Sequence, residues 1–287
     1  MKKTYLKYFS ALLLFGSNGI AASYILLNSY EIVFLRTLTG SIFLLGILLL
    51  SRRKPQYFLN KRHVFYIVIS GIAMGVSWMF LYEAYKTVGV SIATLAYYCG
   101  PVIVIAVSPL LFHERMTLRK LSGFTAVLAG MYLVNKSSLH GACISSGLVF
   151  GLLSAVMYAF MVIFNKKAKS ITGLENSALQ LIISFFTSAV FMMTRKPPAI
   201  PSVVPFLFPV LFLGIVNTGI GCYFYFSSID RLPAGSVAVC GYIEPMSALL
   251  FSSLFLKERL SAVQLLGAFL ILGGAILSEF SRKQKNP

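Results

Sequence analysis

The chain has 287 residues, 57% of them hydrophobic and only 11% charged, with a mean hydropathy of +0.82. Soluble domains carry about 25% charged residues, so this composition excludes a soluble globular protein and indicates one embedded in a bilayer. The net charge of +17 would suggest nucleic acid in a soluble chain. Here the cations fall between apolar runs and the aromatics form no stacking platform, so no nucleic-acid partner is expected.

The N-terminus, MKKTYLKYFSALLLF, is basic and then apolar, as in a secretory signal. Its apolar run continues to Leu27, beyond the roughly 7–15 residues of a signal core, which predicts a first membrane helix over 8–27. Further spans are predicted at 31–50, 64–85, 91–112, 118–134, 141–164, 174–194, 204–227, 235–256 and 262–280. About 20 apolar residues cross a hydrocarbon core of about 30 Å. Continuous runs rather than alternation argue against a barrel. The expected fold class is therefore an all-α integral membrane protein with ten transmembrane helices. Thr172-x-x-Glu175 and Ser261-x-x-Gln264 have capping-box spacing at two helix starts. RKPPAIPSVVP (195–205) reads as a linker. Gly71/Gly75 and Gly147/Gly151 are small-residue pairs that permit close helix approach.

With the N-terminus inside, Lys+Arg favour the inner loops by roughly three to one. The inner groups are Lys2, Lys3, Lys7, then 52–62, Arg115–Lys120, Lys166–Lys169, Arg231 and the C-terminal tail. The expected location is the cytoplasmic membrane, multi-pass, with both termini cytoplasmic. Cys99, Cys143, Cys222 and Cys240 show no Cys-x-x-Cys spacing, and the three histidines lie at loops, so neither a metal site nor a cofactor is expected. No paired Asp, His-Glu or Ser-Lys constellation lies at span depth, and the sole aspartate, Asp230, is at a loop. An enzyme is not expected.

An internal repeat runs at an offset of 144 residues. Without a gap, Pro101 matches Pro245, Glu114-Arg115 matches Glu258-Arg259, Gly123 matches Gly267 and Gly130 matches Gly274. Five spans per half is an odd number, so the halves 8–134 and 141–280 enter the membrane from opposite sides. Inverted repeats of this kind mark transporters, with the substrate path between the halves near the midplane.

These two halves, each with a proline in its fourth helix, then Glu-Arg and two spaced glycines, resemble the EamA-type branch of the drug/metabolite transporter superfamily. YYCGPVIVIAVSPLLFHERMTLRKLSG and YIEPMSALLFSSLFLKERLSAVQLLG carry the resemblance. Arg36 stands where that family usually has an arginine in helix 2; the second half has Gln180 there, a departure. The resemblance implies a ten-helix carrier with a central cavity and with helices 5 and 10 at the periphery. It further implies gradient-driven export or exchange of small metabolites, often amino acids or related compounds. A non-transporting multi-pass scaffold or sensor is the competing reading.

An ionised group at mid-membrane costs about 2.5–3.5 kcal/mol on insertion scales, so the few such residues can be weighed singly. Glu244, nine residues into its span, is a candidate for binding an amine or a proton, or for holding a neighbouring helix. Pro101 and Pro245 are hinge candidates. Arg36, Glu83 and Lys86 could cluster at the outer rim. Glu114, Arg115, Glu258 and Arg259 read as interfacial anchors. Asn18, Trp78, Tyr82, Tyr97, Tyr98, Tyr158, Asn217 and Tyr242 are candidates to line an aromatic cavity. The expected partners are the lipid bilayer and a small-molecule solute, with a proton or counter-substrate as driving force. Two complete halves fit a working monomer, and a homodimer stays open.

Overall fold

The computed structural model describes residues 2–51, 60–88, 93, 96–113, 117–135, 146–193, 205, 207–255 and 261–280. Among these residues the secondary structure is helical throughout, with no strand. The helices are α1 (Lys2–Gly16), α2 (Asn18–Ser23), α3 (Ser29–Leu50), α4 (Lys61–Val88), α5 (Cys99–Phe112), α6 (Leu118–Asn135), α7 (Ser146–Lys167) and α8 (Gly173–Met193). They continue with α9 (Leu207–Leu211), a π-helical segment (Phe212–Ile220), α10 (Gly221–Ile229), α11 (Ala234–Gly241), α12 (Ile243–Phe255) and α13 (Ala262–Phe280). Six helical stretches are long and apolar enough to cross a bilayer, from Tyr30–Leu50 to Ala234–Phe255, and Cys99–Phe112 and Ala262–Leu277 are shorter apolar helices.

Four predicted spans differ in detail, the fourth because it is broken at Tyr98, before α5 starts at Cys99. The first begins at Lys2, breaks at Ser17 and ends at Ser23 rather than Leu27. The Ser17 hydroxyl donates to the Leu14 carbonyl, and such local bonding competes with the helical ladder. The eighth contains the π segment, where the Thr218 hydroxyl donates to the Leu213 carbonyl five residues back. The ninth is two helices, α11 and α12, meeting at Tyr242. The interfacial anchors Glu114, Arg115, Glu258 and Arg259 lie outside the described residues.

The outer surface is apolar, and the largely hydrophobic core is threaded by buried polar groups. Leu50, Leu110, Leu118, Met193, Phe208 and Phe269 are exposed, which suits a lipid-facing surface. Ser70, Ser77, Ser154, Ser184, Gln180 and Asn176 are buried and join helices to one another. Ser77 and Ser154 each donate to the other's carbonyl, tying α4 to α7. Gln180 donates to Ser70, tying α8 to α4. Without water, such groups must find protein partners.

α6 packs along α13, and glycines set their separation. A Cβ built at Gly130 would sit 2.5 Å from the Gly267 carbonyl oxygen and 3.0 Å from the Ile271 nitrogen. A Cβ at Gly274 would sit 2.5 Å from the Gly123 carbonyl oxygen and 3.0 Å from the Val127 nitrogen. Each contact becomes the other when 144 is added to one partner and subtracted from the other. The same exchange relates the packing of α1 against α10 to that of α4 against α7, and that of α1 against α12 to that of α5 against α7.

Candidate functional site

The site forms where α11 gives way to α12. All of Ala234–Gly241 is buried. Tyr242 ends this half-helix in a turn, its N–H donating to the Val239 and Cys240 carbonyls. Ile243, Glu244 and Pro245 then open α12. Pro245 therefore sits in a first turn, where its missing N–H has no intrahelical use. The helix start also explains Glu244. Its charge lies at the positive end of the α12 dipole, where a carboxylate is stabilised. In the first half the pattern recurs: Tyr98 precedes α5, and Pro101 is its third residue. The two prolines, expected as hinges, stand in the first turns that follow the breaks at Tyr98 and Tyr242. α5 also contains Pro109 in its interior.

The two turns touch. The Tyr242 hydroxyl donates to the Tyr98 carbonyl at 2.7 Å, with ring centroids 5.8 Å apart. Tyr97 packs edge-on against Tyr158 at 5.5 Å, and the Tyr158 and Tyr225 hydroxyls are 3.2 Å apart. Tyr8 completes the ring, 5.6 Å from Tyr225, with its hydroxyl donating to the Val237 carbonyl. Glu244 lies within electrostatic reach of Tyr8, Tyr97, Tyr98 and Tyr158. It is deep in the bundle yet keeps accessible surface, and among the described residues its carboxylate accepts no hydrogen bond. A Cβ built at Gly241 would meet only the Tyr8 hydroxyl at 3.6 Å and the Tyr158 hydroxyl at 3.9 Å.

Arg36 is the counterpart charge. It is 5% exposed, its guanidinium 4.7 Å from the Trp78 ring centroid, and its Nε donates to the Thr218 hydroxyl at 2.9 Å. It is the cation that acts on Glu244 across the interior. The π segment places Thr218 for this bond. For the expected rim cluster, the contacts of Arg36 are to Trp78 and Thr218, Glu83 is half-buried on α4, and the side chain of Lys86 is outside the described residues.

Asn217 and Asn18 meet away from this ring. The Asn217 amide donates to the Leu14 carbonyl, Ser17 Oγ and Asn18 Oδ1, clasping the break between α1 and α2. Tyr82 packs with Tyr30 and Met79. Sequence reasoning did not single out Tyr8, Tyr225 or Thr218. Tyr225 was within reach, since it lies on the helical face of Asn217 and Gly221 at i+8. At the far end of α10, Asp230 takes a hydrogen bond from Asn176 at 3.4 Å and lies beside the Gly173 N–H, which opens α8 in the left-handed region (φ 63°). Burial pushes the Asp230 carboxyl up to about 7, against the pull of Asn176 and Lys166.

A bundle of long apolar helices with a buried arginine, a half-buried glutamate and packed tyrosines inside it defines a multi-pass membrane protein. The EamA-like transporter family matches residues 2–136 and again 145–280. The chain belongs to that family, within the drug/metabolite transporter superfamily, and is a multi-pass membrane protein. "Uncharacterized transporter YxxF" of Bacillus subtilis (strain 168) is 25% identical over 289 residues, covering 98% of this chain and 90% of its own. "Probable amino-acid metabolite efflux pump" of Escherichia coli (strain K12) is 28% identical over 181 residues, covering 59% of this chain and 60% of its own. A crystal structure of a protein 19% identical superposes with a TM-score of 0.84 over 100% of both chains, so the fold is shared.

Proposed function

We propose that the protein is a secondary-active carrier that exports or exchanges a small zwitterionic metabolite, an amino acid or a related compound, by alternating access. The observation that carries this reading is Glu244, a half-buried carboxylate among tyrosines, with no hydrogen-bond partner among the described residues and with Arg36 within its reach. Glu244 would take an ammonium or a proton, and Arg36 a carboxylate. Tyr97, Tyr98, Tyr158 and Tyr242 would shape the apolar wall. The name of the Escherichia coli relative points the same way. Ten spans arranged as two inverted halves, 8–134 and 141–280, fit the two family matches and the reciprocal α6–α13 contacts. The excess of cations in alternate loops supports cytoplasmic termini.

Counterflow in proteoliposomes with a panel of labelled amino acids and amines tests the reading. Transport by the wild type and a loss of about 10- to 150-fold in Glu244→Gln are expected, the range for one charge-assisted hydrogen bond. If Glu244→Gln left both the rate and its pH dependence unchanged, the role assigned to Glu244 would be wrong. If no solute crossed at all, a scaffold or sensor would be the better description.

A further inference from the structure

A second polar concavity lies at the end of the bundle where α4 starts and α5 and α7 end. It encloses about 420 Å³. Its polar groups come from separate segments: the cation Arg62 and the imidazole of His63 from α4, the imidazole of His113 after α5, and the cations Lys166, Lys167 and Lys169 at and beyond the end of α7. Tyr66 and Phe112 form its walls. No carboxylate among the described residues lines it; Glu114, next to His113, lies outside them.

The positive-inside tendency requires cations near this end but not an enclosure with oriented donors. Neutral groups fix these cations in place. The Arg62 Nε donates to the Tyr66 hydroxyl at 2.7 Å, and the guanidinium stacks on that ring at 5.7 Å. This orients the fork and leaves its Nη donors without partners among the described residues. His63 Nδ1 accepts the Ser170 N–H at 3.1 Å and lies 2.6 Å from Ser170 Oγ. Its proton is therefore on Nε2, a further donor. The Lys166 ammonium is anchored by the Ile229 and Leu232 carbonyls and lies over Phe112, so its charge is fixed at the wall. His113 turns the chain out of α5 with φ 53°, the one non-glycine in the left-handed region among the described residues.

A planar, pre-oriented guanidinium with the ammonium groups of Lys167 and Lys169, and no carboxylate lining the pocket among the described residues, suits a phosphate group, while Lys166 is also drawn to Asp230. The volume exceeds that of the bare anion and falls within the range for small organic ligands. We propose that this pocket binds a phosphate-bearing anion at the membrane surface, presented either by an anionic lipid headgroup or by a soluble phosphate.

Thermal unfolding, followed by fluorescence of Trp78, tests this with three probes. They are inorganic phosphate added in detergent, phosphatidylcholine nanodiscs, and the same nanodiscs with a fifth of the lipid replaced by phosphatidylglycerol. Arg62→Gln/Lys167→Gln is compared with Lys2→Gln/Lys3→Gln, which removes the same charge from exposed positions at the same end. Stabilisation by phosphatidylglycerol alone identifies a lipid headgroup, and saturable stabilisation by phosphate identifies a soluble anion. Either must weaken by about tenfold for each charge-assisted hydrogen bond lost in the pocket variant and persist in the control variant. No stabilisation by either probe, or equal weakening in both variants, overturns the proposal.

Discussion

The crossing of α6 and α13 makes a prediction that separates shape from chemistry. Gly130→Ala places a methyl 2.5 Å from the Gly267 carbonyl oxygen. Ordinary contact begins at 3.4 Å, so the helices must part by 0.9 Å, the difference between those two distances. Backbone cannot rotate away as a side-chain tip can, and overpacking of this kind costs about 1–3 kcal/mol. Gly274→Ala imposes the same displacement through the Gly123 carbonyl oxygen, also at 2.5 Å. The two contacts lie in one interface, so the separation forced by the first methyl leaves room for the second. The double variant should therefore lose much less than the sum of the single losses, with a coupling of about 1 kcal/mol or more. Independent sites add within about 0.3–0.5 kcal/mol. The assay is equilibrium unfolding in mixed micelles, with Trp78 as reporter. Additivity within that margin would refute the shared-interface argument.

Other expectations follow from single contacts. Tyr242→Phe removes the hydrogen bond to the Tyr98 carbonyl and leaves that acceptor without this donor; a loss of about 1–3 kcal/mol is expected by the same unfolding assay. Asp230 binds a proton more readily folded, at about 7, than unfolded, near 3.8. Stability should therefore fall as pH rises from about 4 to about 7, by an upper bound of about 4 kcal/mol. Asp230→Asn should flatten that part of the melting profile, and an unchanged slope would contradict the burial argument. Arg36→Lys keeps the charge but loses the planar stack on Trp78 and the Nε bond to Thr218; solute affinity should drop about tenfold, read as a raised KM for counterflow.

Much of the helical layout was legible because hydropathy reports burial in lipid directly. The capping box at Ser261 and Gln264 formed as its spacing implied, with the Ser261 N–H on Gln264 Oε1 at 2.9 Å and the Gln264 N–H on Ser261 Oγ at 3.2 Å. The helix breaks were harder to read. Ser17 and Tyr242 interrupt runs whose average is apolar despite Ser17-Asn18 and Glu244-Pro245, and hydropathy does not register a change of backbone direction. Glu244 stood out because an acid in an apolar run is costly. The ring members Tyr8 and Tyr225 did not, since a tyrosine in a membrane helix is ordinary and only packing brings these two within 5.6 Å. Arg36 was visible as a charge, but its placement over Trp78 depends on the π segment, for which no local sequence signal was read.

Gly100 occupies the position that Glu244 holds in the other half. A Cβ there would lie 2.7 Å from Tyr158 Cδ1 and 3.0 Å from the Ala155 carbonyl oxygen. The first half therefore cannot acquire a matching acid by one substitution, because Tyr158 already fills the space. The asymmetry between positions 100 and 244 is thus held by packing: the aromatic ring that walls the acid at one position, together with the Ala155 carbonyl, bars a second acid at the other.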